Sequence, residues 1–304
     1  MAFVGRRLHH GMLPLRGICV ANADGTGAAP LPHTVCAREC TTDLIEYSTQ
    51  LFWVQPDLLL YGDDYRIFAI PVGGKPKQLG PDKRSSMETF SVDAAGDRLA
   101  AGYSSCVQCS GPVTVLDVPS GELVGRIGGK KVDNVTPSIS PDGKRVVFVR
   151  YTSGDSPHRL GMWIARADGS HLRRIVKGGA EPSWSPDGKA IAYLAKPPQW
   201  GTLRLVPPRG GKGRTLVARG VWALFGWSPD GTKIAFTFGK RLAVVDVATG
   251  KVRGLMRLRF NWSADWSPDS KALLVGTQLH RKDQCLSVWR VSVGGGKKQL
   301  LRNC

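Results

Sequence analysis

Apolar positions along this chain fall in short runs that turn residues separate. Three such runs are residues 146–149, 191–194 and 234–236. Each follows a Ser-Pro-Asp-Gly segment, in which Pro presets φ, Asp hydrogen-bonds to the backbone and Gly adopts a positive φ. No long segment keeps a helical period. The pattern therefore predicts an almost entirely β chain in which strand, tight turn and strand recur.

The turn and its flanking strands form a repeat. Four copies of the turn occur, the last with Ser270 in place of Gly, and residues 90–96 hold a fainter copy. A second marker is a turn glycine before a short basic strand, at intervals of 48, 48, 48, 41, 40 and 44 residues. These intervals match one four-stranded blade and predict an all-β propeller. The marker glycines are Gly25, Gly73, Gly121, Gly169, Gly210, Gly250 and Gly294.

We expect one domain over residues 1–304 that holds seven repeats, the first of them incomplete. Residues 1–4 line up with a second strand, so the first strand of repeat 1 is missing. A six-bladed ring with an extra N-terminal hairpin is the alternative. We also expect the natural chain to begin upstream, with a signal peptide before the missing strand. The approximate repeat boundaries are 1–33, 34–80, 81–129, 130–178, 179–218, 219–259 and 260–304.

Four tryptophans, Trp53, Trp184, Trp227 and Trp266, occupy one position of the repeat, just before the turn. Large aromatic side chains dominate core burial in folds of this kind, so we expect these rings to pack between neighbouring blades. A ring of ligand-binding aromatics is the alternative.

A family resemblance follows from these motifs. The Ser-Pro-Asp-Gly turn with a preceding Trp, followed by a segment such as Met-Trp-Ile-Ala-Arg-Ala-Asp-Gly-Ser at 162–170, resembles the TolB-type, WD-repeat-like propeller family. Residues 18–27 resemble the same segment, so the resemblance covers nearly the whole chain. It implies a propeller fold and an extracytoplasmic setting, in the periplasm, in the cell wall or secreted. It does not specify a function, because such propellers serve many purposes.

The net charge of +18 is carried largely by the turn between strands three and four and by strand four of each repeat. A solvated surface that blocks edge-to-edge association is one interpretation, and a binding face for an anionic partner is the other. There is no aromatic-studded basic groove, so nucleic acid is not the expected partner. No apolar run approaches the roughly 18 residues that span a membrane. The candidate partner-binding residues are Lys251, Arg253, Lys297, Lys298, Arg173 and Arg174.

The seven cysteines are the sharpest local signal. Structural disulfides are the main interpretation for six of them, and a four-thiolate zinc site on Cys36, Cys40, Cys106 and Cys109 is the alternative. Cys285 and Cys304 should face each other across the last hairpin, because paired residues of an antiparallel hairpin have a constant index sum and this pair centres on the turn glycines. The disulfide candidates are Cys36, Cys40, Cys106, Cys109, Cys285 and Cys304, and a partner is predicted only within the last two.

Catalytic motifs are absent from the sequence. It has no Gly-x-Ser-x-Gly nucleophile elbow, no His-Glu-x-x-His segment and no P-loop. We therefore expect a monomeric, non-enzymatic propeller without cofactor or metal that binds a protein or an anionic polymer in the cell envelope. The alternatives are a regulatory propeller separated from a prolyl-oligopeptidase-like hydrolase, and a propeller that binds a small molecule or glycan.

Overall fold

A computed structural model describes most of the chain, and its described part contains strands, turns and bends but no helix. The described residues are 2–5, 17–20, 29–30, 50–55, 58–62, 66–71, 74–80, 86–104, 111–129, 132–151, 161–195, 201–258, 260–278 and 286–303.

Repeats 2 to 7 each form one four-stranded antiparallel sheet, in which consecutive strands pair in chain order. The strands are β1 (Ala2–Gly5), β2 (Gly17–Val20) and β3 (Ala29–Pro30) in repeat 1; β4 (Gln50–Gln55), β5 (Leu58–Gly62), β6 (Ile67–Pro71) and β7 (Lys77–Leu79) in repeat 2; β8 (Ser86–Val92), β9 (Arg98–Ser104), β10 (Val113–Asp117) and β11 (Leu123–Ile127) in repeat 3; β12 (Asp133–Ile139), β13 (Arg145–Tyr151), β14 (Gly161–Arg166) and β15 (Arg173–Lys177) in repeat 4; β16 (Ala180–Trp184), β17 (Ile191–Ala195), β18 (Thr202–Val206) and β19 (Arg214–Val217) in repeat 5; β20 (Val221–Trp227), β21 (Lys233–Phe238), β22 (Arg241–Asp246) and β23 (Val252–Arg257) in repeat 6; and β24 (Phe260–Trp266), β25 (Ala272–Gln278), β26 (Leu286–Ser292) and β27 (Lys297–Asn303) in repeat 7.

The six complete sheets stand in a ring as the blades of a β-propeller. First strands of successive repeats contact each other, β8 with β12, β12 with β16, β16 with β20 and β20 with β24, so they are the innermost strands. The predicted fold class is therefore confirmed in its six-bladed form. Repeat 1 forms a separate three-stranded sheet, β1 to β3, as expected of a repeat that lacks its first strand, but the expectation of seven repeats in the propeller is not confirmed.

Five hydrophobic clusters lie between consecutive blades from repeat 2 to repeat 7. Strand alternation explains how one sheet serves two clusters: Val146 and Phe148 pack toward repeat 3, whereas Val147 and Val149 pack toward repeat 5. Because the middle strands are buried on both faces, they are continuous apolar runs in the sequence.

The repeated tryptophans join neighbouring blades, as predicted. Each indole Nε1 donates to a backbone carbonyl oxygen on the first strand of the preceding repeat, at 3.1–3.2 Å. Trp184 and Trp266 are buried, and Trp227 packs against the cluster between repeats 5 and 6. The side chain of Trp53 lies outside the described residues.

Candidate binding face

The Ser-Pro-Asp turns are built by their own side chains. In repeat 5, Ser185 Oγ donates to Asp187 Oδ1 at 2.6 Å and accepts from the amide of Ala190 at 2.9 Å. The amide of Lys189 also donates to Asp187 Oδ1, at 3.1 Å. Gly188 has a φ of 67°, which a residue with a Cβ rarely adopts. The recurring aspartates therefore stabilise turns.

Repeat 3 reaches the same turn with a different residue. Asp93 occupies the serine position, and its Oδ1 accepts from the amides of both Asp97 and Arg98, at 2.9 and 3.2 Å. One carboxylate thus replaces the Ser-Asp pair of the other turns. The fainter copy of the motif at residues 90–96 therefore forms the same kind of turn.

The turn between strands one and two and the turn between strands three and four lie on the same face of the ring. We call this face the turn face. In four repeats, a backbone amide just after strand three donates to a carbonyl oxygen of the turn between strands one and two, at 2.8–3.0 Å. The donor and acceptor pairs are Val118 with Asp97, Ala167 with Lys144, Val247 with Thr232, and Val293 with Lys271.

The outermost strands carry the positive charge. The fourth strands of repeats 2 to 7 together contain eleven Lys and Arg residues and no Asp or Glu. We call this basic surface, together with the exposed basic residues of the adjoining turns, the basic rim. All six candidate partner-binding residues are exposed on it.

Some rim cations also join blades. Arg173 donates from Nη1 to the carbonyl of Arg209 at 3.0 Å and from Nη2 to that of Pro208 at 2.9 Å, both in the next repeat. Arg253 Nη2 donates to the carbonyl oxygen of Gly294 at 2.6 Å. Sequence reasoning assigned both arginines only to partner binding and missed this second role.

The same contact recurs from two further repeats, each to the turn between strands three and four of the next one. Lys77 Nζ donates to the carbonyl oxygens of Pro119 and Ser120, and Arg214 Nη2 donates to that of Val247. Lys297 has a different neighbour, since its Nζ lies 5.0 Å from the centre of the Trp289 ring.

Two carboxylates on innermost strands were also missed. Glu181 is partly buried on β16, where its Oε2 accepts from the amide of Leu224 in the next repeat at 2.8 Å. Burial raises the pKa of Glu181, and the Leu224 hydrogen bond opposes that rise. Its φ of 49° is unusual for a residue with a side chain.

Asp265 is the second inner carboxylate. It precedes Trp266 at the position that Ser138 and Ser183 occupy in their repeats. Protein atoms crowd its carboxylate and raise its pKa, although the side chain keeps contact with solvent. The one sequence signal for it was an acid at a position that holds serine or glycine in repeats 3 to 6.

The six disulfide candidates lie outside the described residues, and so does the alternative zinc set. The structure describes the register next to Cys285 and Cys304: β26 and β27 pair Leu286 with Asn303, Ser287 with Arg302 and Val288 with Leu301. Cys285 and Cys304 lie just beyond this series, and their pairing stays a prediction. In the part of the chain that the structure describes, no group of three or more His, Cys, Asp or Glu side chains could hold a metal ion.

Comparison with known proteins agrees with this architecture. Residues 46–303 match the family described as the TolB beta propeller domain. The chain belongs to that family. Over 127 residues it is 32% identical to a TolB homolog of Chlorobium luteolum, a stretch that covers 40% of this chain but 28% of that protein.

Solved structures share the propeller fold. TolB from Acinetobacter baumannii aligns at a TM-score of 0.57 and 20% identity, over 76% of this chain and 57% of that one. A puromycin-hydrolyzing peptidase of Mycobacterium tuberculosis aligns at 0.68 and 16%, over 95% of this chain and 50% of that one. This TolB-type chain therefore spans between a quarter and three fifths of the length of these relatives.

No helix among the described residues is both long and apolar enough to cross a membrane.

Proposed function

We propose that this TolB-type propeller is a non-enzymatic, extracytoplasmic scaffold that binds a protein or an anionic polymer of the cell envelope through the basic rim. One observation carries the proposal: the outermost strands of six blades hold eleven cations and no acid. A surface of one sign attracts partners of the opposite sign over about 8–10 Å at physiological salt.

The chemistry of the turn aspartates supports a structural role for them. The side-chain hydroxyl of Ser185 and the amide of Lys189 lower the pKa of Asp187. The same contacts, from Ser267 and Lys271, lower the pKa of Asp269. Carboxylates held ionised by their own turns are poor general acids or bases near neutral pH.

Two of the candidate partner-binding residues also join blades. Arg173 and Arg253 already hydrogen-bond to the next blade. Arg174, Lys251 and Lys298 are exposed on the same rim, and these three form the set on which the proposal is tested.

A matched pair of variants tests the proposal. The rim variant is Arg174→Glu/Lys251→Glu/Lys298→Glu, and the inner-turn variant makes the same charge change at exposed residues of the Ser-Pro-Asp turns, Lys144→Glu/Lys189→Glu/Lys271→Glu. Each protein is immobilised and exposed to envelope extract. Components held by the wild type and by the inner-turn variant, but not by the rim variant, are the expected partners. Equal retention by all three proteins would contradict the proposal.

A propeller separated from a hydrolase is the second candidate. The puromycin-hydrolyzing peptidase motivates it, because this chain aligns over 95% of its own length with half of that enzyme. At 16% identity that likeness shows the fold alone. A separately expressed hydrolase domain whose turnover changes when this chain is added would favour this candidate over the scaffold.

A further inference from the structure

The turn face carries exposed aliphatic side chains among its cations. Leu123 is 50% exposed, Leu172 38% and Val252 41%. Leu123 begins β11, Val252 begins β23 and Leu172 directly precedes β15. All three therefore lie where the turn between strands three and four leads into the outermost strand, at the margin of the turn face.

This placement follows the repeat. Five large apolar side chains are exposed in the described part of the chain, and three of them share this site. The other two, Trp222 and Phe238, lie near the opposite ends of β20 and β21, away from the Ser-Pro-Asp turn that joins those strands. The aliphatic residues of the turn face thus occur in repeats 3, 4 and 6, one in each.

Each aliphatic residue has exposed cations close by in the sequence. Arg126 lies on the same strand as Leu123, Arg173 and Arg174 follow Leu172, and Lys251 and Arg253 flank Val252. Long basic side chains can extend toward a charged surface while an aliphatic neighbour leaves water. A surface of this composition can contact negatively charged groups and hydrocarbon groups of a partner at the same time.

Three of the acidic residues close to this margin are offset by neighbours, whereas Glu122, directly before Leu123, is exposed. Asp117, Asp168 and Asp246 lie in the same turns, and each Oδ1 accepts a hydrogen bond from Ser120, Ser170 or Thr249. Basic side chains lie near all three carboxylates, namely Arg98 and Lys77, Arg166, and Lys233 respectively. These neighbours offset the charge of the three turn aspartates, whereas Arg173 and Arg253 also donate to carbonyl oxygens of the next blade.

We propose that the margin of the turn face docks on the anionic surface of a lipid bilayer, with the cations at the lipid phosphates and Leu123, Leu172 and Val252 in the interfacial layer. This rests on the proposed function, in that the rim must bind anions. A soluble polyanion would use the cations alone, whereas a bilayer uses the aliphatic side chains as well. The mixed composition favours the bilayer.

The test measures cosedimentation with vesicles and binding of soluble polyphosphate by the same proteins. The wild type should bind vesicles that contain half phosphatidylglycerol and not vesicles of phosphatidylcholine alone. The aliphatic variant, Leu123→Ser/Leu172→Ser/Val252→Ser, should lose about tenfold in vesicle partitioning and keep its polyphosphate affinity, because only apolar contact has been removed. Phe238→Ser, on the other face, should partition like the wild type.

Several outcomes would overturn the docking proposal. They are a full vesicle affinity in the aliphatic variant, an equal loss in Phe238→Ser, or no binding of the wild type to anionic vesicles. If polyphosphate still binds in these cases, the rim proposal stands and only the bilayer fails. Thermal melting checks the fold of the triple variant. If it melts early, Leu172→Ser alone replaces it, with an expected loss of about twofold.

Discussion

The indole Nε1 of Trp184 donates a hydrogen bond to the carbonyl oxygen of Ser138, 3.1 Å away in the preceding blade. The guanidinium carbon of Arg145 lies 4.9 Å from the centre of the same ring. Trp184 therefore contributes to the blade interface through apolar burial, one directed bond and one cation–π contact. The matching bonds of Trp227 and Trp266 repeat this joint around the ring.

The Trp184 joint predicts a stability cost. Trp184→Phe keeps an aromatic ring but leaves the Ser138 carbonyl without its donor, so the free energy of unfolding should fall by about 1–3 kcal/mol. Urea denaturation measures this change. Trp289→Phe makes the same change at an indole Nε1 that has no hydrogen-bond partner among the described residues, so it is the matched control and should cost less than Trp184→Phe. Equal effects at the two positions would argue against a role for the inter-blade bond.

Turn aspartates predict a loss of stability in acid. The folded-state pKa of Asp187 is lowered by Ser185 and by the amide of Lys189. Its contribution is therefore fully present above the unfolded pKa and is lost as pH falls through the folded pKa. Asp187→Asn should be less stable than the wild type near neutral pH, and the difference should shrink by about pH 3. A difference that is independent of pH would show that the carboxylate charge is irrelevant.

We expect Glu181 to change stability with pH in the opposite direction to Asp187. Burial raises its folded-state pKa, so its ionised form costs stability above that pKa, and the cost is relieved as pH falls. Glu181→Gln retains an oxygen that can accept from Leu224 and should be at least as stable as the wild type near neutral pH. Its advantage should diminish as the solution is acidified. Urea denaturation across that pH range gives the measurement, and a clear loss of stability at neutral pH would contradict the assignment.

What could be predicted from the sequence was local. The Ser-Pro-Asp turns and the strands after them follow from residue chemistry within about six positions, so those elements were recognised. The register of the last hairpin was predicted only in part, because a β-bulge between Val288 and Trp289 shifts the index sum by one.

What was missed depends on distant parts of the chain. Arg173 hydrogen-bonds to carbonyl oxygens 35 and 36 residues later, and any residue type could supply such an acceptor. The raised pKa of Glu181 depends on packing between innermost strands. The number of blades depends on how the ring closes, which no local motif specifies.

We predict a disulfide between Cys285 and Cys304 in the last hairpin. Continuing the observed register past Leu286 and Asn303 places Cys285 opposite Cys304, and a disulfide there is worth roughly 3 kcal/mol in the chain-entropy picture. Peptide mapping without reductant, on protein from its native compartment, should find the two peptides linked. Free thiols at both positions would refute the pairing and weaken the extracytoplasmic proposal, since such bonds persist in oxidising compartments.

The central claim is that an anionic partner binds at the basic rim, and that net charge alone does not explain this binding. The affinity for labelled polyphosphate, measured at increasing salt concentration, tests this claim most directly. The wild-type affinity should fall at least about tenfold over a fourfold rise in salt, because bound phosphates release counterions. At low salt the rim variant should lose most of the affinity, and the inner-turn variant should remain close to the wild type. Equal losses in the two variants, which carry the same net charge, would contradict the claim.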